Sequence, residues 1–248
     1  MPNDTAAGLE KPATHWRLAF MFDAAGGDRA ELGRKLTAAS ATIQTVANGG
    51  SVRFGVAEHF MNEGEDRDGH EFSAWRRNDG AIEITVPASE ADRLPDIAAA
   101  MRPVLEPLAA PDSVEVMAGP VYFMVPTRPG GKSVLSLAFK RDPATTKEQF
   151  SRWWFHQHSQ VAIPVLGENL LSYDQVHCDD AMTLAVSKAY GSEPYYYDAY
   201  DNLSWANWDA YIESVSDPEG SQNIAADEIR RIDNDTRRHA MLVSLSDG

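Results

Sequence analysis

The sequence predicts an α+β fold in which two similar units follow each other along the chain. Candidate strands and helices occur in the order strand, helix, strand, strand, helix, strand, and this order occurs twice within 248 residues. Between the two runs, the segment Thr127–Lys132 contains proline and two glycines, which predicts a turn or hinge. We therefore expect a polar, disordered tail at residues 1–13 and two units at residues 14–127 and 133–248.

Hydrophobic periodicity defines the elements of the first unit. Leu32, Leu36 and Ile43 recur on one face of a candidate helix. Ser89 precedes a second apolar run and is expected to cap the helix that follows. The predicted elements are strands at 16–22, 51–60, 81–87 and 114–125 and helices at 28–46 and 89–106.

The second unit repeats this order. Thr145 with Glu148 three residues later has the pattern of a capping box and predicts the start of a helix. The segment between the second and third strands of this unit is expected to be a polar loop. The predicted elements are strands at 133–139, 170–178, 195–203 and 238–245 and helices at 145–166, 206–215 and 219–232.

This element order is that of the ferredoxin-like unit, a four-stranded antiparallel sheet with two helices on one face. The other face of each sheet is bare, so two units can cover each other and enclose a cavity between their sheets. The predicted architecture is therefore two tandem ferredoxin-like units whose antiparallel sheets pack into a dimeric-type α+β barrel.

One helix carries an unusual stripe. Phe150, Trp154 and His158 recur every four residues and share a helical face, which Val161 and Val165 extend. A stripe of aromatic and aliphatic residues is typical of core, but a histidine within it needs polar partners once water is excluded. The sequence thus predicts one inward-facing histidine with its own hydrogen-bond partners.

Composition excludes several classes of protein. The formal net charge is −15, from 37 acidic and 22 basic residues, which argues against nucleic acid or an anionic membrane as partner. The sequence has no apolar run near 18 residues and no secretory signal, so we expect a cytoplasmic protein. A single cysteine, Cys178, excludes an internal disulfide and a multi-cysteine metal site.

Motifs for the common cofactors are absent from the sequence. His156 and His158 are two residues apart, so a helix would point them in opposite directions, and we expect His156 in solvent and no metal pair. The chain contains no glycine-rich dinucleotide motif, no phosphate-binding loop and no serine-hydrolase elbow. No metal and no organic cofactor are therefore predicted.

Four features of the second half form a specific combination. They are the turn and helix start at Lys140–Phe150, the aromatic, tryptophan and histidine at four-residue steps, and the segments Leu170–His177 and Tyr200–Trp208. Through these features residues 135–245 resemble the EthD family within the dimeric α+β barrel superfamily. Val176 stands where the family often has asparagine. The first half has the same element order without the Trp-x-x-x-His pattern, so we interpret it as a diverged copy.

The resemblance implies a cavity that binds an aromatic or polyketide-like molecule and moves protons without an organic cofactor. Our first hypothesis is a cofactor-independent lyase of the dehydratase type in aromatic compound catabolism. An isomerase or cyclase would use the same parts. A haem-binding protein or oxidase and a non-catalytic small-molecule binder are alternatives on the same fold, and a homodimer is an option for each.

Histidines and tyrosines are the candidate site residues, because both can exchange protons or hydrogen-bond a substrate. His158 leads, although a histidine that only buttresses the core is the simpler alternative. For the other histidines, the alternative is a position at a strand end in water. For the tyrosines, the alternative is that aromatic residues simply favour strands. The candidate catalytic residues are His158, His177, Tyr197 and His239, and the candidate substrate-binding residues are Tyr173, Tyr195, Trp153 and His59.

Overall fold

A computed structural model of the chain describes residue 9 and residues 12–60 and 76–246. The helices of this part are α1 (Arg29–Ala47), α2 (Leu94–Leu105), α3 (Lys147–Trp153), α4 (Ser159–Leu166), α5 (Asp180–Tyr190), α6 (Trp208–Ser214) and α7 (Pro218–Glu228). The strands are β1 (His15–Phe22), β2 (Ser51–His59), β3 (Arg76–Arg77), β4 (Gly80–Pro87), β5 (Glu115–Val125), β6 (Ser133–Arg141), β7 (Ser172–His177), β8 (Ala199–Trp205) and β9 (Ile232–Ser244).

Eight of these strands close into an antiparallel barrel. Their order is β2-β4-β1-β5-β7-β8-β6-β9, and pairing of β2 with β9 closes the ring. The short β3 pairs in parallel with the middle of β9, at Arg238 and His239. Closure leaves no free edge among the eight strands, which removes the aggregation hazard of an open sheet. The predicted α+β barrel is confirmed in this form.

Helices cover the barrel on two sides, and each side has its own apolar core. Leu18, Phe20 and Ile82 face α1 and α2, whereas Phe139 and Leu203 face α3, α4 and α6. Residues of opposite parity on the same strands point into the barrel, as the pleat requires. The prediction of a cavity between the sheets is wrong within the described part of the chain. The barrel interior is filled by side chains, among them those of Ala19, Met21, Met117, Val121 and Val176.

The segment predicted as a polar loop after β7 is the helix α5. The side chain of Asp179 caps it by accepting from the Met182 amide, and Gly191 ends it in a left-handed conformation. Its buried residues, Val186 and Tyr190, join the core of the first half. Seven of the eleven residues of α5 are apolar, so the sequence contained a helical signal that the prediction missed. The packing partner of α5 is α2, which is distant in sequence. The strand predicted from residue 195 consequently begins at Ala199.

The helix predicted from Thr145 to Leu166 is continuous but irregular. Thr146, with Gln149, forms the capping box, so the predicted cap was one residue early. Residues Trp154–His158 form a π-helical turn, which inserts one extra residue between α3 and α4.

The π turn shifts the buried stripe of this helix. Phe150, Trp154 and His158 are buried as predicted. Beyond the turn, Ala162 and Leu166 are buried, and the half-exposed Val161 and Val165 do not continue the stripe.

The prediction that Ser89 caps the second helix is wrong. Ser89 makes no capping hydrogen bond, because a 3₁₀ turn at Ala88–Arg93 precedes α2. Most of the predicted tail at 1–13 lies outside the described residues. None of the helices in the described part of the chain has the length and apolarity needed to cross a membrane.

Candidate functional site

The helix-covered face of the second half carries a buried group of polar side chains. Strand β7 directs Tyr173, Gln175 and His177 to this face, and not towards the barrel interior, where the predicted cavity would have been. Residues from β8, β9, the π turn and α7 complete the group. We call it the helix-side cluster, and its members are Trp153, His158, Tyr173, Gln175, Asp201, Asp227, Glu228 and Arg237.

His158 is held by a carboxylate from α7. Its Nδ1 lies 2.9 Å from Oδ2 of Asp227, and Trp153 Nε1 donates to Oδ1 of the same carboxylate at 3.1 Å. Burial acts to raise the pKa of Asp227, but the hydrogen bonds from His158 and Trp153 outweigh burial and leave this pKa below its ordinary value. A charged Asp227 therefore fixes the imidazole orientation and leaves Nε2 as the reactive nitrogen.

A second acidic residue of α7 links His158 to the sheet. Glu228 Oε1 lies 4.0 Å from His158 Nε2, while its Oε2 accepts from Arg237 at 2.5 Å. Arg237 and Asp201 stand on neighbouring parts of the sheet, and both interact electrostatically with each other and with Glu228. Burial, together with the charge of Glu228, raises the pKa of Asp201 well above its ordinary value. Burial therefore favours the protonated form of Asp201, which is the form that can donate a proton.

Tyr173 and Gln175 form the polar floor beside Trp154. Gln175 Nε2 donates to the Tyr173 hydroxyl at 2.8 Å and to the Trp154 carbonyl at 3.1 Å. Burial raises the pKa of Tyr173 well above its ordinary value, with Asp201 adding to the effect. The Tyr173 phenol consequently stays protonated and can donate a hydrogen bond.

His177 lies next to this cluster in apolar surroundings. Its ring is 4.7 Å from that of Trp154 and 5.0 Å from that of Tyr122, and neither ring nitrogen has a hydrogen-bond partner among the described residues. Burial, with a smaller contribution from Lys147, lowers the pKa of His177 to about 3. His177 is thus neutral at physiological pH and is a poor proton donor there.

The other two predicted histidines lie apart from His158. Burial, with Arg77 and Arg237, lowers the pKa of His239 to about 4, and its ring packs 6.2 Å from that of Phe60. His59 stacks on the Trp208 ring at 4.2 Å. These contacts place both histidines against aromatic side chains.

Tyr195 and Tyr197 lie at one end of the barrel rather than in the helix-side cluster. Their rings are 4.5 Å apart, and the Tyr197 hydroxyl donates to Glu115 at 2.7 Å. Tyr196 is exposed, whereas Tyr200 is buried inside the barrel. The structure therefore brings together His158, Trp153 and Tyr173 from the predicted set, with His177 adjacent.

Sequence reasoning missed the carboxylates that matter to the cluster. Asp174 on β7 and Asp198 beside β8 are close to the candidate residues in sequence, but they pair with Arg17 and Arg141. The actual partner, Asp227, lies on α7, where Gly220 is the buried residue, so no apolar periodicity marks its inner face. Asp201 did leave a signal, because it is an acidic residue inside an aromatic and apolar strand.

A charged network inside the barrel was also missed. Arg17 donates to Asp174 at 2.8 Å and to Asn202 at 2.9 Å, and Arg53 donates to Glu83 at 2.9 Å. Burial opposes ionisation of Glu83, but Arg53 and Arg17 hold the pKa of Glu83 below its ordinary value. This network joins β1, β2 and β4 to β7 and β8 across the barrel.

Open space is scarce in the described part of the chain. A cavity of about 10 Å³ lies beside Arg53 and Glu83, which is room for about one water molecule. An open groove of about 220 Å³ lies between α1 and α2, far from His158. Among the described residues, no group of three or more His, Cys, Asp or Glu side chains has the arrangement of a metal site.

Comparison with known families agrees with the resemblance seen in the second half. Residues 142–235 match the model of the EthD domain. This segment contains most of the helix-side cluster, including His158, Asp201 and Asp227. No curated protein matches the chain.

Solved structures share the fold along nearly the whole chain. A proposed monooxygenase from Fusobacterium nucleatum superposes with a TM-score of 0.56 at 10% identity, covering 94% of each chain. A proposed monooxygenase from Lactobacillus acidophilus gives 0.50 at 14% identity, covering 93% of this chain and 94% of that one. A mutant chlorite dismutase from Candidatus Nitrospira defluvii in complex with cyanide gives 0.51 at 11% identity, covering 98% and 95%. At these identities the likeness is one of fold, and the fold is one that enzymes use.

Proposed function

We propose that the chain is a small-molecule enzyme whose chemistry is proton transfer in the helix-side cluster. The observation that carries this proposal is the pairing of His158 with Asp227, which leaves Nε2 of the histidine as a general base. Asp201, a buried carboxyl group of the same cluster whose pKa is raised by burial, would supply the complementary acid. Two groups whose surroundings give them opposite protonation states are the usual basis of acid–base catalysis.

The reaction class best served by this pair is elimination of water from a β-hydroxy carbonyl compound next to an aromatic ring. His158 Nε2 would take the proton from the carbon beside the carbonyl, and Asp201 would protonate the departing hydroxyl, so that a carbon–carbon double bond and water form. Tyr173 would hydrogen-bond the carbonyl oxygen. Isomerisation needs the same two proton transfers without loss of water and is the nearest variant.

Access to the cluster would require movement of α7. This helix carries Asp227 and Glu228, yet Gly220 is its buried residue, so it contributes little apolar surface to the fold. Elements with few buried apolar contacts open most readily. A substrate would therefore enter between α4 and α7, and closure of α7 would return Asp227 to His158.

Proton transfer can be tested before the natural substrate is known. A panel of aromatic β-hydroxy ketones and their enone products would be incubated with the protein in D₂O and followed by mass spectrometry for water loss and deuterium uptake. His158→Gln should lower the rate at least about 100-fold. His156→Gln, which changes an exposed histidine two residues away, should keep the wild-type rate. Equal rates for wild type and His158→Gln would reject the proposal.

Haem binding is a second candidate, favoured by the geometry of His158. A histidine whose Nδ1 is held by a carboxylate presents a basic Nε2, which is the arrangement of many metal-ligating histidines. The space does not fit, because Trp153, Trp154 and Phe150 pack this layer, and a cofactor pocket usually needs about 300–1,000 Å³. The described residues around His158 therefore do not accommodate a porphyrin in this conformation.

A haemin titration decides between the two candidates. No Soret band on titration would remove the haem candidate. A band that forms with wild type and is lost in His158→Ala would replace the proton-transfer proposal.

We also propose that the two halves are units of one kind, which associate to close the barrel. In the barrel order, each half contributes its second, third, first and fourth strands in that sequence. Residues 12–130 and 131–248, produced as separate chains and mixed, should form a one-to-one complex with the circular dichroism of the intact protein. Failure to associate, with both pieces unfolded, would contradict the proposal.

A further inference from the structure

Three buried polar side chains meet where β5 pairs with β7, on the face of the sheet that the π turn covers. Tyr122 lies directly opposite Gln175 in this strand pair, and the ring of His177 lies 5.0 Å from that of Tyr122. We call these three residues the β5–β7 group. We propose that this group binds the hydroxyl group of a small neutral phenol, whose ring takes the place of the Phe155 ring.

All three side chains have polar atoms without a hydrogen-bond partner among the described residues. These atoms are both ring nitrogens of His177, the hydroxyl oxygen of Tyr122 and Oε1 of Gln175, and each of the three residues is more than nine-tenths buried. The orientation of the Gln175 amide is determined, because its Nε2 donates to the Trp154 carbonyl, which can only accept. Buried polar groups are nearly always paired, since an unpaired one costs free energy. Three neighbouring side chains with unpaired polar atoms therefore indicate a ligand site.

The hydrogen-bonding capacity of the group matches a hydroxyl. A neutral imidazole offers one N–H donor and one acceptor nitrogen, the Tyr122 hydroxyl can donate or accept, and Gln175 Oε1 can only accept. A ligand group that only accepts, such as a ketone, would leave Gln175 Oε1 unpaired, whereas a hydroxyl both donates and accepts. Burial, with a smaller contribution from Lys147, lowers the pKa of His177 to about 3, so the surroundings disfavour charge. A neutral hydroxyl therefore fits better than a carboxylate or an ammonium group.

Aromatic rings beside the group favour an aromatic ligand. The Trp154 ring lies 4.7 Å from that of His177, and the Phe155 ring lies edge-on to Tyr122 at 5.0 Å. Aromatic pairs at such distances are favourable in edge-to-face and tilted arrangements. A phenol supplies both a flat ring for contacts of this kind and a hydroxyl at its edge.

Phe155 is the side chain that a ligand would displace. It lies on the π turn and is half-exposed, whereas Tyr122, which it contacts, is buried. Rotation about its side-chain bonds would carry the ring into solvent and leave the backbone of the turn in place. The ligand ring would then take the same position against Tyr122. The close packing around the group is therefore compatible with binding.

The β5–β7 group adjoins the helix-side cluster, since Gln175 belongs to both. It contains neither His158 nor a charged residue of that cluster, so the proposal does not rest on proton transfer at His158. A phenol site and a proton-transfer site can accordingly be tested apart from each other.

Titration with 4-fluorophenol, followed by ¹⁹F NMR at pH 7, would test the site. Wild type should bind this probe saturably, whereas fluorobenzene, which lacks the hydroxyl, should bind at least about fivefold more weakly, as expected for loss of one hydrogen bond. Tyr122→Phe removes only a hydroxyl of the group and should weaken 4-fluorophenol binding by a similar factor. Phe155→Ala should strengthen binding, because no ring has to be displaced.

Imidazole resonances provide a direct readout in protein with ¹⁵N-labelled histidine. 4-Fluorophenol should shift the ring ¹⁵N signals of His177, which are identified by their absence in His177→Phe. Tyr190→Phe, at a buried tyrosine in the core of the first half, is the matched control and should bind as wild type does. His158→Gln should also bind as wild type does, so loss of turnover and loss of phenol binding are separate results.

Folding of the variants is verified by urea denaturation. Tyr122→Phe should be at least as stable as wild type, because it removes a buried hydroxyl without a partner among the described residues. The proposal is overturned if wild type does not bind 4-fluorophenol saturably, if fluorobenzene binds equally well, or if Tyr122→Phe and Tyr190→Phe bind alike. It is also overturned if Phe155→Ala binds more weakly than wild type, or if binding is lost in His158→Gln and kept in Tyr122→Phe, which would place the phenol beside His158.

Discussion

The Nδ1 atom of His158 lies 2.9 Å from Oδ2 of Asp227, although the two residues are 69 positions apart in the chain. The two elements that carry them, the π turn and α7, meet only in the folded protein. Trp153 donates a hydrogen bond to the other oxygen of this carboxylate, which fixes the orientation of Asp227. Asp227 in turn fixes the orientation of the His158 imidazole. This relationship is the strongest structural sign that His158 does more than fill the core.

Asp227→Asn should impair catalysis without unfolding the protein. An uncharged amide holds the His158 ring in one orientation less firmly than the carboxylate does, so we expect kcat to fall about 10²–10⁴-fold with a smaller change in KM. Steady-state kinetics on a compound found in the exchange assay, recorded as a function of pH, would measure this. Trp153→Phe removes a hydrogen bond to the same carboxylate but keeps the His158 pair, and it should cost much less. Equal losses for the two variants would indicate a purely structural Asp227.

Asp174→Asn should destabilise the fold strongly. The substitution removes the carboxylate that lies 2.8 Å from the buried Arg17 and 3.1 Å from Arg53, and leaves Glu83 as the remaining charged partner of Arg17, at 3.5 Å. Loss of one partner of a buried ion pair typically costs about 3–5 kcal/mol. Urea denaturation would measure the free energy of unfolding. Arg34→Gln, which breaks an exposed pair, should change this free energy by about 1 kcal/mol or less. Similar effects for both variants would mean that the barrel network adds no stability.

His177 should make the protein sensitive to mild acid. Because burial lowers its pKa to about 3, the unfolded chain binds a proton at this residue below about pH 6.5 while the folded chain does not. The contribution of neutral His177 to the free energy of unfolding is fully present above pH 6.5 and is lost progressively as the pH falls towards 3. The loss amounts to about 2 kcal/mol at pH 5.

Replacement of this residue would isolate its contribution. His177→Phe should flatten the loss of unfolding free energy between pH 6.5 and pH 4, measured by urea titrations at each pH. The exposed His156→Gln is the control and should leave the profile unchanged. A wild-type profile in His177→Phe would assign the acid sensitivity to other groups, such as His239.

Periodicity in the sequence was sufficient to predict most strands and the inward direction of His158. Both depend on local patterns, namely alternation in strands and four-residue steps in a helix. Local patterns could not predict the charged residues inside the barrel. Arg17 sits in the run WRLAFMF, where a lone arginine reads as solvent-exposed, and its partner Asp174 is 157 positions away. Only closure of the barrel brings them together.

The partner of His158 was unpredictable for a related reason. Helix α7 is polar on nearly all sides, so the sequence does not distinguish Asp227 from its neighbours. Its position follows from packing against α4, which tertiary contacts determine. Functional carboxylates on weakly amphipathic helices will generally escape single-sequence analysis, because no hydrophobic stripe marks the inner face.

The π turn at Trp154–His158 offers a direct test of how His158 is aimed. A π turn equals one inserted residue in an α-helix, so deletion of the exposed Gln157 should restore regular α-helix. His158, Ala162 and Leu166 all follow the deleted residue and keep their mutual spacing, so all three would stay in register with Trp154. We therefore expect the deletion variant to remain folded by circular dichroism and to keep the activity that His158→Gln loses. Loss of activity in a folded deletion variant would show that the π turn itself, and not Asp227 alone, positions the imidazole.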